Sequence, residues 1–243
     1  MIRLYRLCQD FIRRGVEMKT LIIIPAYNEE KNIERVVNML INNYPQYDYV
    51  VVNDCSKDNT RLVCEQNNYN YIDLPINLGL AGAVQAGYKY AYMYNYDVAI
   101  QYDGDGQHRP EYIASLVQAI QEGADIAIGS RFVDVKKPWT LRMLGSRMIS
   151  FFTKLVTHMD IKDPTSGMRA INDKLIKEFA FNMNYPPEPD TIVYQIKKGA
   201  IIKEVPVVMD ERIEGESYLN LSNSIKYMSR MIVSILFIQH FRK

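Results

Sequence analysis

The stretch QYDGDGQHRP, Gln101 to Pro110, sets two carboxylates one residue apart, Asp103 and Asp105, each followed by glycine, directly after an apolar run. Like charges this close repel, and each resists desolvation unless something positive offsets it. Two chemistries account for such a pair. Asp-Gly is ordinary turn chemistry, which would make it an acidic turn. Alternatively, it is a metal site whose cation the sequence does not contain. Three more polar clusters follow apolar runs in the same manner: PAYNEE (25–30), Asn53-Asp54 with CSKDNT (55–60), and Ser130-Arg131.

The elements that must position these clusters alternate between two periods. The runs TLIIIPA (20–26), YDYVVVND (47–54), YNYIDL (69–74), YDVAIQYD (96–103) and ADIAIGS (124–130) read as strands. Between them, NEEKNIERVVNMLINN (28–43) carries Ile33, Val36, Val37, Leu40 and Ile41 at helical spacing. AGAVQAGYKYAYMYN (81–95) is a second helix, and PEYIASLVQAIQEG (110–123) a third that begins on proline. Such alternation predicts an α/β fold, a mainly parallel sheet flanked by helices on both faces. In open sheets of this kind ligands bind beyond the carboxyl ends of the strands. All four polar clusters fall there.

The second half differs. TLRMLGSRMISFFTKLVTHM (140–159) and the closing segment SNSIKYMSRMIVSILFIQHFRK (222–243) are basic and amphipathic, and DPTSGMRA (163–170) reads as a polar loop with one glycine. The 243 residues, 48% hydrophobic and 23% charged, suit one sizeable domain with an appended element. A net charge of +1 argues against nucleic-acid binding by bulk electrostatics. Cys8, Cys55 and Cys64 lack CxxC spacing and read as reduced thiols. The first twenty residues lack the apolar region of a secretory signal, and MIVSILFI is far shorter than the roughly 20 residues of a spanning helix. Residues 1–17 are expected to be an N-terminal extension, with Met18 a second possible start.

The ordered set PAYNEE, VVVNDCSKDNT, NLGLAGAVQAG, DGDGQH, GSR and DPTSGMRA resembles the inverting glycosyltransferases of family 2, which have the GT-A fold. DPTSGMRA together with ERIEGES (211–217) resembles the branch acting on polyprenyl phosphates, dolichol-phosphate mannose synthases among them. The resemblance spans roughly residues 20 to 218 and implies one catalytic domain, 18–218, followed by a basic amphipathic segment, 219–243. Asn53-Asp54 stands where the family usually has two aspartates, and Met168 where an aromatic is often found.

The resemblance implies a Mg2+ or Mn2+ ion between the aspartates and the donor diphosphate, with Asp105, Asp103 and Gln107 as ligands. It implies donor contacts from Pro25, Ala26, Tyr27, Glu29, Asp54, Asn77, Gly79 and Gly104, with Asp54 on a uracil or guanine base. Reaction at a lipid phosphate needs no strong base, because the nucleophile is already an anion; it needs cations to bring two phosphates together. Arg131 and Arg212 are expected in the catalytic set beside Asp103 and Asp105, and Arg142, Arg147, Ser166, Arg169 and Ser217 around the acceptor phosphate.

With a saccharide acceptor instead, Asp190 is the candidate base; its other reading is an acid at a helix N-terminus. A saccharide-adding transferase and a non-catalytic nucleotide-sugar binding subunit are therefore the competing functions. The basic amphipathic segments read either as core-facing helices or as helices on an anionic membrane surface, the last segment being the stronger membrane candidate. Docking onto a small membrane-spanning partner protein is a further reading of the tail. The expected location is cytoplasmic, peripheral on the inner face of the cell membrane.

Overall fold

The computed structural model describes residues 18–182, 188–210 and 221–239. The 1–17 extension, Arg212 and Ser217 lie outside the described residues. Seven strands form one sheet in the order β3-β2-β1-β4-β6-β5-β7: β1 Thr20–Ala26, β2 Asp48–Asn53, β3 Tyr71–Asp73, β4 Val98–Gln101, β5 Ile126–Ser130, β6 Arg169–Asn172 and β7 Ile202–Pro206. β1 pairs in parallel with β2 and β4, β2 with β3, and β5 with β7.

The strands are apolar on both sides because both faces are covered. In β1, Ile22 and Ile24 enter one core and Leu21 and Ile23 the other. The first core is closed by α1 (Ile33–Asn43), α2 (Thr60–Gln66) and α4 (Ile113–Gln121), the last entered through a 3-10 turn at Pro110–Tyr112. The second is closed by α3 (Gly79–Met93), α6 (Asp173–Asn182) and α7 (Pro189–Lys197). The expected doubly covered, mainly parallel sheet is the observed one.

One element departs from the sequence reading. The end of DPTSGMRA is a strand rather than loop: β6 inserts antiparallel between β4 and β5. Its four residues are too few to show a period, and it opens on an arginine. The insertion brings the 163–168 loop back over the carboxyl end of β4.

α5 (Leu141–Thr157) and α8 (Leu221–Val233), which runs on as a π-helical turn over Ser234–Ile238, form a third layer. Thr140 caps α5, its hydroxyl accepting from the Met143 amide at 3.2 Å. Ile149, Val193, Met231 and Ile235 are buried together, each worth about 1.5–3 kcal/mol, so α5, α7 and α8 are packed to one another. The tail segment thus turns part of its apolar face inward. On α5, Leu144, Met148, Phe151 and Leu155 stay exposed at helical spacing. No helix among the described residues is long and apolar enough to cross a membrane.

Candidate active site

Leaving β4, the chain enters the first core once more at Tyr102, whose hydroxyl donates to the His108 carbonyl and closes a loop over residues 103–108. The His108 ring is buried beneath that loop, Nε2 lying 3.1 Å from Asp103 Oδ2. Burial opposes the Asp103 charge, but the His108 ring, the Gln101 amide and the more distant Arg169 outweigh it and hold the carboxyl below its usual range. Asp105 is 7% exposed and accepts the Gln107 amide at 3.0 Å.

The loop is fastened on every side. A Cβ on Gly104 would lie 3.2 Å from the Pro25 carbonyl and 3.8 Å from Glu29 Cγ, so the PAYNEE turn packs directly against it. A Cβ on Gly167 would run into the Asp103 carboxylate; the DPTSGMRA loop lies on Asp103 through that glycine. The Arg35 guanidinium of α1 covers Gly106. Beside them, Asp210 donates its amide to the Gln107 carbonyl at 2.9 Å and its carboxylate accepts Arg109 Nε at 2.8 Å.

These side chains suit a hard divalent cation. Asp103, Asp105 and Gln107 carry oxygen donors on one short loop. Among the described residues no group of three or more His, Cys, Asp or Glu could hold a metal. Asp103, Asp105 and Gln107 are a partial oxygen set, of the kind that a hard divalent cation such as Mg2+ or Mn2+ would complete with phosphate and water.

The expected donor residues gather at the ends of β1 and β2. The Ala26 carbonyl accepts the Asp54 amide at 2.9 Å. The Asp54 carboxylate, 3% exposed, accepts the Leu78 amide at 2.6 Å, while Asn77 donates to the Asp54 carbonyl at 3.0 Å and accepts the Gly79 amide at 3.2 Å. Asp54, Asn77 and Gly79 therefore form one unit at the start of α3. Asn53 donates to Asp73 Oδ1 at 2.6 Å, where a second aspartate would set two carboxylates against each other. Asn28 does not cap α1; its side chain accepts the Lys57 amide at 2.8 Å and ties the first loop to the second, with Tyr27 beside it at the surface. Glu29 accepts from Asn32 at 2.8 Å.

On the other side of Asp103, Arg131 at the end of β5 meets the fully buried Asp163 through Nε at 2.7 Å and Nη2 at 2.9 Å. Glu204 on β7 grips the loop below, accepting the Lys162 and Asp163 amides at 2.8 Å each. Arg169, 5% exposed, donates to the carbonyls of Ser166, Pro164 and Glu188, bracing the loop from within. Ser166 is buried, its hydroxyl accepting the Met168 amide at 3.3 Å. Arg147 stacks on Trp139, 4.1 Å from the ring, and donates to the Pro138 carbonyl at 3.1 Å. Arg142 lies in α5. Asp190 is buried in the first turn of α7, accepting from Ser234 at 2.6 Å and Gln239 at 3.2 Å.

Sequence reasoning missed His108, Asp163, Glu204 and Asp210. The histidine had a signal, being three residues past Asp105; the others are single charges whose partners lie far along the chain.

A sequence model of the family described as Glycosyl transferase family 2 matches residues 21–179. The polyprenol monophosphomannose synthase of Mycolicibacterium smegmatis is 30% identical over 219 residues, 84% of this chain and 82% of that protein. The undecaprenyl-phosphate mannosyltransferase of Micrococcus luteus is 30% identical over 215 residues, covering 84% and 88%. The crystal structure of glucosyl-3-phosphoglycerate synthase from Mycobacterium tuberculosis, in complex with Mn2+, UDP and glucosyl-3-phosphoglycerate, superposes with a TM-score of 0.70 at 16% identity, over 95% of this chain and 82% of that one. The shared fold is GT-A.

Proposed function

The chain belongs to glycosyl transferase family 2, and from that premise we propose that it moves a hexose, with inversion, from a UDP- or GDP-sugar to a polyprenyl phosphate such as undecaprenyl phosphate. The names of its relatives put mannose first among the sugars to try. Its product is a lipid-phosphate-linked sugar for cell-surface glycan assembly.

One observation carries the choice of acceptor. A sugar hydroxyl must give up a proton to a base; of the described carboxylates on this side, Asp163 is forked to Arg131, and the buried Asp190 accepts Ser234 and Gln239 of the tail through Oδ2. What this side offers is cationic. A phosphate acceptor fits it, because the attacking oxygen is already charged. That oxygen forms the new bond at the anomeric carbon as the bond to the nucleoside diphosphate breaks, the electron pair leaving on the diphosphate.

A divalent cation held by Asp103, Asp105 and Gln107 would supply positive charge to the departing diphosphate. The Asp54–Asn77–Gly79 unit binds the base and ribose, and the Pro25–Glu29 turn, pressed on Gly104, fixes the donor against the metal loop. Arg131, oriented by Asp163, faces the incoming phosphate with Arg147, and Arg212 and Ser217 are proposed for the same role.

A lipid acceptor requires contact with the bilayer. Leu144, Met148, Phe151 and Leu155 line the outer side of α5, Trp139 precedes the helix at 85% exposure, and Phe237 and Ile238 of the tail are exposed as well. A patch this apolar on a helix with lysine and arginine at its flanks suits the headgroup region of an anionic membrane. The acceptor reading is tested by offering undecaprenyl phosphate beside undecaprenol. Transfer to the phosphate alone is expected; equal transfer to the alcohol overturns it.

A further inference from the structure

Near its end the tail helix makes a turn that regular helix geometry does not supply. Over Ser234–Ile238 it widens to a π-helical turn, in which the Gln239 amide donates back to the Ser234 carbonyl. A regular α-helix sets residues five apart about 140° from each other; the wider turn brings Ser234 and Gln239 to one side. Gln239 Nε2 donates to Ser234 Oγ at 3.0 Å, and both side chains donate to Asp190 Oδ2, Ser234 at 2.6 Å and Gln239 at 3.2 Å. All three residues are buried, and Asp190 Oδ1 has no hydrogen-bond partner among the described residues. Packing alone does not call for this, since apolar groups of the same shape would leave no oxygen bare and would cost little or nothing. Turns of the π kind are rare and recur at functional sites.

The surroundings of Asp190 show what it supports. It stands in the first turn of α7, two residues after Glu188. The Glu188 carboxylate meets Arg230 of α8 at 2.5 Å, so the tail grips this turn at two points. The Glu188 carbonyl accepts Arg169 Nη1 at 3.4 Å, and the same guanidinium donates to the Pro164 carbonyl at 2.8 Å and the Ser166 carbonyl at 2.9 Å. Arg169 therefore joins the start of α7 to the 163–168 loop, which rests on Asp103 at Gly167. We propose that Asp190 is a positioning residue: seated by Ser234 and Gln239, it fixes the first turn of α7, against which Arg169 holds the 163–168 loop on Asp103. The tail then supports the 103–108 loop whether or not a bilayer is present, which separates this role from membrane contact. That Asp103 serves a metal and that a lipid phosphate is the acceptor rest on the function proposed above; the support of the loop does not.

The test compares the full chain with its Asp190→Asn, Asp190→Ala and Ser234→Ala variants. Asparagine keeps the shape of the side chain and one oxygen for Ser234 and Gln239, but not the charge; alanine removes the seat. Amide hydrogen exchange is followed by mass spectrometry over 163–168 with no substrate present, where the Ser166 and Met168 amides are bonded within the loop. Asp190→Ala is expected to speed exchange there about tenfold or more, the equilibrium worth of a hydrogen bond to a charged group. Ser234→Ala should do the same to a smaller extent, and Asp190→Asn should stay close to the native protein. Exchange in α1 and α4, on the other face of the sheet, should not change. In parallel, initial rates are measured with farnesyl phosphate in solution and a panel of GDP- and UDP-sugars. Asp190→Ala should lower kcat about tenfold or more through misplacement of the loop while leaving the KM for farnesyl phosphate near its native value, and Asp190→Asn should restore kcat. Should Asp190→Ala fail to fold, Ser234→Ala, which removes only the shorter bond, decides. Native exchange over 163–168 in Asp190→Ala and Ser234→Ala, or exchange that rises equally in every element, overturns the positioning role. Loss of transfer in Asp190→Asn with native exchange also overturns it and makes Asp190 a base. If the loop responds as expected while the native chain glycosylates only saccharides, the positioning stands and the acceptor reading fails. If farnesyl phosphate is glycosylated and the loop does not respond, the positioning fails and the acceptor reading stands.

Discussion

Replacing Gly167 by alanine would push one methyl group against Asp103 in the 103–108 loop. The new Cβ would stand 3.1 Å from Asp103 Cγ and 3.2 Å from Oδ1, and closer still to Oδ2. Non-bonded heavy atoms settle at about 3.5–4.0 Å, so the carboxylate or the loop must shift by about 1 Å. Neither has an easy direction to go. Asp103 is held by His108, and the loop is fixed at Asp163 by Arg131 and Glu204. A misplacement of about 1 Å at a reacting centre costs about 100-fold in rate, which is about 2.7 kcal/mol of barrier. Overpacking of this kind costs the fold about 1–3 kcal/mol, less than the stability of an ordinary domain. Gly167→Ala is therefore expected to remain folded, to lose about 100-fold in kcat/KM, and to need more Mg2+ or Mn2+ for half-maximal rate. Initial rates across a metal titration, beside a thermal melt, read all three. Activity within threefold of the native enzyme with unchanged metal activation would refute the claim that this loop positions Asp103.

Asp163→Asn strips the Arg131 fork of its charge in a buried setting and should lower unfolding free energy by about 3 kcal/mol, read by urea titration; a loss under 0.5 kcal/mol would show that the pair holds nothing. Cys55 sits at φ 55°, in left-handed backbone costing a side chain about 1–2 kcal/mol, and glycine gives back part of that through the unfolded chain. Cys55→Gly should therefore be more stable by about 0.5 kcal/mol, and a destabilised variant would mean that the Cys55 thiol, which lies 3.8 Å from the Pro75 carbonyl, matters more through that contact than the strain does. Phe151→Glu places a charge in the middle of the exposed α5 face and should reduce sedimentation with phosphatidylglycerol vesicles, while high salt should lower sedimentation of the native protein by screening its basic side chains; unchanged sedimentation would move the membrane contact away from α5.

Much of the sheet and of the rim at its strand ends was legible in the sequence because its signals are local. The apolar run at 20–26 fixes β1 residue for residue, and the clusters after β1, β2, β4 and β5 do converge on one rim. What escaped depends on partners distant in sequence. β6 is four residues long, and its direction is set by a strand on either side. Arg169 has the residue type of a phosphate ligand, yet its guanidinium is spent on three carbonyls because the strand it opens is central and buried. Asp190 reads as a base or, more often for such a position, a helix acid, and its contacts with Ser234 and Gln239 of the tail could not be read from its neighbours in sequence. The tail's periodicity shows that it has an apolar face, but only the packing of Met231 and Ile235 shows how much of that face is already covered.

The central claim, metal-dependent transfer from a nucleotide sugar to a polyprenyl phosphate, is met most directly by one assay. The purified protein is incubated with radiolabelled GDP-mannose, and in parallel with other GDP- and UDP-sugars, together with undecaprenyl phosphate and Mg2+ or Mn2+, and the label is partitioned between water and organic solvent. Label from at least one donor should enter the organic phase only when the lipid phosphate is present, stop with EDTA, and resume when the metal is restored. Label that enters saccharide in the aqueous phase with no lipid phosphate present, or transfer that is indifferent to EDTA, would contradict the account.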